Sequence, residues 1–326
     1  MNRRAVLGLV AAGALGAPRI ASAQAAWPSR GSIRLVAQFP PGGLVDTISR
    51  LIAPVMSQAL GQTVVVENRA GFGGVIGTDF VAKQPADGYT LLMSHASVHV
   101  FSTATMPRLP FHPINDFTHL GLLVEASNVL LVKADSPYRT LADYITAAKA
   151  RPVRFGSSGI GSAPHLLGAM LTSEAQATNL EHVPYRGSAP AMQDLMSGAI
   201  ESMIDPITTN VRMLQDGTLR ALAVSTPQRL AALPNIPTFA ELGFPKLTSA
   251  QWLGLSAPKN LPAPIAERLT ALIPSLLTRP ELVARYEDLQ TLPRNPTLLG
   301  GDFVKMIEEQ IGEWTAVARQ FNIVVT

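Results

Sequence analysis

Four short loops rich in glycine, serine and proline are the segments of this sequence best suited to binding chemistry. They span residues 39–43, 70–74, 157–162 and 185–190, and each lies at the start of a predicted helix. The first turn of a helix carries N–H groups without intrahelical partners at the positive end of the helix dipole, so it suits a carboxylate or a phosphate. Glycine also lets a ligand approach the backbone closely. The loops therefore predict an anion site built from main-chain amides.

Motifs for nucleotide or hydrolase chemistry do not fit the spacing of these loops. Residues 71–77 follow a predicted strand and open a helix, as a dinucleotide fingerprint does, but the third glycine comes one residue late. The sequence has no Walker A phosphate loop, and residues 156–159 do not form the G-x-S-x-G elbow of a hydrolase. Binding is thus favoured over catalysis, and we predict no catalytic residue, cofactor or metal.

Six histidines are the remaining candidates for metal or proton chemistry. Four of them are His95, His99, His112 and His119. They lie in a segment without helical periodicity, so the step of four from His95 to His99 does not make a helical metal pair, and we expect hydrogen-bonding roles. His165 follows Ser162 in the first turn of a helix, where it either caps the helix locally or turns its ring toward a ligand crevice.

Three charged residues near the loops each have two interpretations. Arg69 and Arg186 border glycine loops, where a guanidinium either pairs with a ligand carboxylate or lies on a solvated face. Asp205 either caps a helix or accepts a hydrogen bond from a ligand hydroxyl, amine or ordered water. The residues alone leave these alternatives open.

The elements that hold the loops form two α/β series. The first has predicted strands at residues 33–39, 63–67 and 89–93 with helices between them, which is the βαβ pattern of a parallel sheet. The second has predicted strands at residues 129–133, 153–156, 200–204 and 219–225. Loops at the carboxyl ends of such strands face one crevice.

The segments around the two series are predicted less regularly. Residues 94–118 lose periodicity and contain three prolines, which predicts an extended surface excursion. Residues 252–258 cross back to the first series. Three helices at 264–277, 280–289 and 301–321 and a terminal strand at 323–325 complete the chain.

The N-terminus predicts export. A basic start, an apolar run and a small-residue cleavage pattern mark residues 1–23 as a signal peptide, with paired arginines that leave either the general or the twin-arginine route open. Cleavage removes three arginines and leaves 23 basic against 23 acidic residues, so nothing favours a nucleic-acid partner.

The sequence contains no cysteine, which excludes thiolate chemistry and disulfides. About 300 remaining residues predict two lobes.

Ordered motifs from about residue 27 to the C-terminus resemble one receptor family. They are Trp27-Pro28-Ser29, residues 39–43, 66–71, 73–74, 87–92, 116–117, 157–159, 165–166, 183–190, 219–224 and 233–234. In these residues the chain resembles the extracytoplasmic solute receptors of the tripartite tricarboxylate transporter family, often called Bug receptors. Ser162 departs from the usual threonine, Arg186 from a common lysine, and residues 94–106 lack a familiar Asn-Pro pattern.

The resemblance implies an α/β fold of the type II periplasmic-binding-protein class, with a ligand cleft between two lobes. Lobe 1 would comprise residues 27–124 plus 251–326, and lobe 2 residues 125–250. The implied partners are a small organic anion and membrane transporter subunits, with the receptor a monomer. A sensory binding protein, or a periplasmic cofactor-dependent enzyme, is the alternative. The predicted ligand-binding residues are Phe39, Pro41, Gly42, Gly43, Ser94, Ser157, Ser158, Gly161, Ser162, His165 and Asp205.

Overall fold

A computed structural model gives the structure of residues 27–185, 187–230 and 233–325. The predicted signal peptide and Arg186 lie outside the described residues. The strands are β1 Ile33–Ala37, β2 Val64–Asn68, β3 Thr90–His95, β4 Phe117–Lys133, β5 Val153–Ser157, β6 Leu180–Pro184, β7 Ser202–Pro206, β8 Leu219–Val224, β9 Ala250–Pro258 and β10 Thr291–Pro293. The α-helices are α1 Leu44–Leu60, α2 Val75–Ala82, α3 Thr103–Thr105, α4 Leu141–Ala150, α5 Ala163–Glu174, α6 Ser188–Ser197, α7 Val211–Gln215, α8 Ala263–Thr270, α9 Ile273–Thr278, α10 Pro280–Asp288 and α11 Gly300–Gln320.

Two groups of parallel strands carry the predicted loops. In the first group β1 lies between β2 and β3 and is parallel to both. In the second group β5 lies between β6 and β7 and is parallel to both. The strand, loop and helix order of each group is the one that the sequence predicts. The loops after β1 and β5 therefore stand at the carboxyl ends of the central strands of their groups.

Two long antiparallel strands connect these groups. Strand β9 pairs with β3 on one side and with β4 on the other. The first part of β4, as far as Ser127, pairs with β9, whereas from Asn128 onward it pairs with β7 and β8. The sequence predicts only the last third of β4. The two groups of strands form one continuous sheet because β4 pairs with strands on both sides.

Five clusters of buried side chains fill the described part of the fold, and three of them position the loops. One lies around β1, β3 and α1, and a second lies around β5, α4 and α5. A third joins the groups: Ala163 and Leu166 of α5 pack with Trp314 and Ala318 of α11. Among the described residues, no helix is both long and apolar enough to cross a membrane.

Two predictions for the irregular segments are wrong. Residues 97–105 do not form an extended surface excursion: a π-helical turn, Ser97–Ser102, continues into α3, and His95, His99 and Phe101 are buried. A π turn has a longer period than an α-helix, so its buried side chains do not repeat at 3.6 residues. Residues 323–325 form no strand, and Val325 only donates its N–H to the carbonyl of Thr105 (2.9 Å).

The helix predicted at 264–277 is also divided in two. Helix α8 ends at Thr270, and α9 begins at Ile273 with Pro274 in its first turn. Proline lacks the N–H that a continuous helix needs and disfavours the helical conformation of the preceding residue, so the chain restarts there.

Candidate ligand-binding site

The first loop leaves β1 and is braced from within by one carboxylate. Asp46, in the first turn of α1, accepts a hydrogen bond from the Gly42 N–H (2.9 Å) and others from Arg50 and Asn68. Burial raises the pKa of Asp46, but the hydrogen bonds from Arg50, Gly42 and Asn68 outweigh it and leave the pKa below its ordinary value. Asn68 also donates to the Phe39 carbonyl (3.1 Å). The loop is thereby fixed in one conformation.

The start of α1 keeps several amides free. Gly43 is the N-cap of the helix, with φ −80° and ψ 174°, and no side chain caps it. Its carbonyl accepts from Thr47, but among the described contacts the N–H groups of Gly43, Leu44 and Val45 have no protein acceptor. The prolines at 40 and 41 contribute no N–H. The free donors thus begin at Gly43 and include two residues, Leu44 and Val45, beyond the predicted loop at 39–43.

The second loop leaves β5 and is braced by two histidines. Ser157 Oγ lies 2.6 Å from His182 Nε2, and the Gly161 N–H donates to His165 Nδ1 (3.1 Å). The two imidazole rings stack with centroids 3.8 Å apart and planes 11° apart. Ser162 is the N-cap of α5 and accepts from the His165 N–H (3.4 Å). The second loop is therefore held as firmly as the first.

The structure shows the local contacts of His165. Its Nδ1 accepts a hydrogen bond from the Gly161 N–H and its ring stacks on that of His182, which is the capping arrangement. Burial lowers the pKa of His165 to about 4; burial and the neighbouring His165 lower the pKa of His182 to about 3. Both rings are neutral at pH 7 and contribute no cation to the loop. Ser158 makes no described hydrogen bond through its hydroxyl or its amide, so it is the free polar side chain here.

Asp205 is an anchor within the second group of strands. Its side chain is almost fully buried and accepts hydrogen bonds from Ser188 (2.5 Å), Thr209 (2.8 Å) and Asn210 (2.8 Å). Burial raises the pKa of Asp205 to about 6 against the opposing effect of these three hydrogen bonds. Both carboxylate oxygens have protein partners. The residue ties the start of α6 to the turn after β7.

Ser94 lies in a buried hydrogen-bonded chain. Its hydroxyl contacts that of Ser256 (3.0 Å), which in turn contacts His119 Nδ1 (2.9 Å). His119 Nε2 and His99 Nδ1 both approach the Pro113 carbonyl, at 3.1 and 3.0 Å. A carbonyl only accepts, so both rings donate to it. Ser94 is fully buried, and it lies next to these rings.

The histidines around this carbonyl are neutral at pH 7. Burial lowers the pKa of His95 and of His119 to about 4, and burial together with His119 lowers that of His99 to about 3. Within the part of the chain that the structure describes, no group of three or more histidine or acidic side chains is placed to hold a metal ion.

The second loop packs against the helical turn that follows β3. A Cβ added to Gly161 would lie 2.8 Å from Thr105 Oγ1 and 2.5 Å from Val325 Cγ2, so the second loop touches the end of α3. No described hydrogen bond joins residues 39–43 directly to residues 157–162.

No described lysine or arginine forms a hydrogen bond or ion pair with either loop. Arg69 instead pairs with Glu67 (2.6 Å) and lies over the ring of Phe80 (3.5 Å to the centroid). The donors left free on these two described loops include the main-chain amide of Gly43 and the hydroxyl of Ser158.

Several residues of the site escape prediction from the sequence. His182 and Ser188 brace the second group of strands through contacts with residues 25 and 17 positions away, and no local pattern reveals such partners. Gln38, directly before the first loop, is fully buried and has no partner for either atom of its amide. Its only sequence signal is a polar residue at the end of a hydrophobic strand.

Comparison with known proteins gives one consistent family. The family model described as tripartite tricarboxylate transporter family receptor matches residues 48–323. A Pseudomonas protein, "UPF0065 protein in tcbD-tcbE intergenic region", is 40% identical over 89% of this chain and 86% of its own. Protein BugT of Bordetella pertussis is 34% identical over 97% of this chain and 96% of its own.

Solved structures agree with this match. The periplasmic binding protein BugD superposes with a TM-score of 0.80 at 30% identity, covering 91% of this chain and 99% of its own. An R. palustris protein solved with adipate gives 0.82 at 32%, over 91% and 99%. MatC from Rhodopseudomonas palustris with bound malate gives 0.77 at 29%, over 88% and 98%. The predicted α/β fold of the periplasmic binding proteins is confirmed.

Proposed function

The chain belongs to the tripartite tricarboxylate transporter receptor family of periplasmic solute-binding proteins, and we propose that it captures a small carboxylate-bearing solute for a tripartite tricarboxylate-type uptake system. The proposal depends most on the row of free amides at Gly43, Leu44 and Val45 on the braced loop. The cation described beside them, Arg50, is already paired with Asp46. The adipate and malate bound by two structural neighbours are both carboxylates, which supports this ligand class.

Capture in this proposal works by closure of two lobes. We assign residues 27–124 plus 251–326 to lobe 1 and residues 125–250 to lobe 2, because β4 and β9 cross between the strand groups near these positions. The carboxylate binds the amides at the start of α1 and the free Ser158 at the start of α5. A ligand that touches both lobes favours the closed form only by contacts that the open form lacks.

The remaining parts of the proposal concern catalysis and location. The bracing histidines and Asp205 all have protein partners, which supports binding without bond chemistry. We propose a monomer in the periplasm, exported by a cleaved signal peptide, that presents its ligand to membrane subunits. A sensory role with the same ligand is the second candidate, because recognition of the solute is identical in both.

The test is Gly43→Val with a panel of mono-, di- and tricarboxylates, aromatic acids and amino acids, measured by isothermal titration calorimetry. A Cβ at Gly43 would meet only the Pro40 carbonyl at 3.8 Å, and φ is negative, so the fold accepts valine. The isopropyl group, however, stands at the amides and excludes the carboxylate. We expect binding of the wild-type ligand to weaken by at least about tenfold, which corresponds to about 1.4 kcal/mol.

The matched control is Gly301→Val. Gly301 also lies at the start of a helix, α11, and an added Cβ has nothing within 4 Å. This variant should bind as the wild type does. Unchanged affinity in Gly43→Val would remove the first loop from the site, and equal losses in both variants would show a general effect of valine at helix starts.

A further inference from the structure

The amide of Gln38 is the most unusual polar group near the first loop. Its residue is fully buried, and neither Oε1 nor Nε2 has a hydrogen-bond partner among the described residues. A buried amide that has lost water and gained no partner destabilises the fold, so such groups are rare and call for a physical reason.

The side chain runs toward the start of α2. A Cβ added to Gly77, in the first turn of α2, would lie 2.9 Å from the Cβ of Gln38. A Cβ added to Gly74, the N-cap of α2, would lie 3.0 Å from its Cγ. The Cβ and Cγ of Gln38 therefore pack against the first turn of α2 and its N-cap. The amide carbon is one bond beyond Cγ, so the amide lies next to the loop before the helix.

The backbone of that loop is also rich in free donors. Residues 71–74 all have positive φ, including Phe72 at 45°, and the N–H groups of Phe72 and Gly73 have no described acceptor. A Cβ added to Gly74 would also lie 3.1 Å from Phe39 Cζ and 2.7 Å from Val98 Cγ2, so these two side chains close the other sides. The Gln38 amide, which carries one buried donor group and one buried acceptor, therefore lies beside a helix start that has further unpaired N–H donors.

The chemistry of an amide restricts what fits there. A carboxylate accepts from Nε2 but repels Oε1, and a hydrocarbon leaves both atoms unpaired. A hydroxyl donates to Oε1 and accepts from Nε2 or from the free N–H groups of the loop, so it satisfies both kinds of atom. We propose that Gln38 and the start of α2 form a second ligand contact that binds a hydroxyl group of the solute. This inference rests on the proposed function, in which the amides at Gly43 hold the carboxylate.

The test compares acids that differ by one hydroxyl, with Gln38→Leu as the variant. The probes are succinate against malate and phenylacetate against mandelate, titrated into wild type and variant by calorimetry. In a pair that binds, the wild type should prefer the hydroxylated acid by roughly tenfold or more, since its hydroxyl pairs an amide that is unpaired in the free protein, whereas the plain acid leaves that amide as it was. Gln38→Leu should remove this preference by weakening only the hydroxylated acid.

A second readout is the melting temperature without ligand. Leucine has a similar volume and no polar atom, so Gln38→Leu should raise the Tm by a few degrees. Gln251 provides the matched control: it is also buried, but its Nε2 donates to Asn128 (2.9 Å), so Gln251→Leu should lower the Tm.

Several outcomes overturn the inference. A lower Tm in unliganded Gln38→Leu would mean that the amide stabilises the fold, for example through an ordered water. Carboxylate binding that is equal in wild type and Gln38→Leu, or indifferent to the hydroxyl, would refute the contact while the proposed function stands. Binding of neither hydroxylated probe would make the hydroxy-acid assignment wrong. Failure of every carboxylate to bind would instead refute the proposed function.

Discussion

The replacement His99→Phe should reverse the order of stability between wild type and variant as the pH falls from 7 to 5. His99 is fully buried among the rings of Phe117, His119 and Trp252, with centroid distances of 5.0, 5.2 and 6.1 Å. Burial, aided by the neighbouring His119, lowers its pKa from 6.5 to about 3. The folded ring stays neutral at pH 5, whereas the unfolded chain takes up a proton there.

The sign and size of the effect follow from this difference. Because the folded-state pKa is the lower one, the stabilising contribution is complete above about pH 6.5 and is lost as the pH falls toward the folded-state pKa. At about 1.36 kcal/mol per pKa unit, the wild type loses roughly 2 kcal/mol of unfolding free energy through His99 between pH 7 and pH 5. Phenylalanine cannot bind a proton and avoids this loss.

Phenylalanine has its own cost at pH 7. It loses the hydrogen bond to the Pro113 carbonyl, worth about 1 kcal/mol, although His119 still donates to that oxygen. We therefore expect the variant to be less stable than wild type by about 1 kcal/mol at pH 7 and more stable by about 1 kcal/mol at pH 5. Urea unfolding followed by tryptophan fluorescence measures both values.

The same replacement at His112, whose ring is exposed, is the control for replacing a histidine with phenylalanine as such. If the difference between wild type and His99→Phe is equal at pH 7 and pH 5, the ring is not held neutral by burial and the reasoning fails.

Three further predictions concern the loops. Gly161→Ala should lower the unfolding free energy by roughly 2 kcal/mol or more, because φ is +75° and the new methyl would lie 2.5 Å from the Val325 side chain. Gly43→Ala should change the unfolding free energy by less than about 1 kcal/mol. Equal changes for the two variants in thermal denaturation would contradict this. Asp205→Ala should lower the unfolding free energy by about 2 kcal/mol in urea at pH 7, since it removes the acceptor that Ser188, Thr209 and Asn210 share, and a stability at or above that of wild type would contradict the anchoring role. Asp46→Asn should tighten carboxylate binding severalfold in calorimetry, because it removes a negative charge beside the amides at the start of α1. Weaker binding with an unchanged Tm would show that the Asp46 charge has another function.

The sequence predicts the repeating parts of this fold well. Strand β1, its glycine loop and α1 are recognisable because a hydrophobic strand, a turn and a helical stripe have distinct local periods. The same holds for β5, its loop and α5. Their common place at the carboxyl ends of central strands follows from the handedness of the βαβ unit.

The failures have identifiable physical causes. Residues 97–105 contain a π turn, whose period does not match the helical template, and the buried His99 there is paired with a carbonyl 14 residues away. Strand β4 is predicted only at its end because its first part depends on pairing with β9, more than 100 residues later.

The candidate site also combines local features that the sequence predicts with long-range contacts that it does not. The glycine loops are local features and can be found from composition, but their braces cannot. The partners of Ser157 and of Asp205 are set by the folded arrangement of separate strands. Gln38 is conspicuous only when its burial and its missing partners are known.

The most direct test of the central claim, that helix-start amides recognise a carboxylate, compares acids with their own methyl esters. Wild-type protein is heated with each member of the panel and the Tm is recorded. A ligand at 100 times its Kd adds about 2.7 kcal/mol of stability, which is readily detected. We predict that at least one acid raises the Tm and that its fully esterified methyl ester, which carries no carboxylate, does not. An ester or another neutral solute that raises the Tm while no carboxylate does would contradict the account.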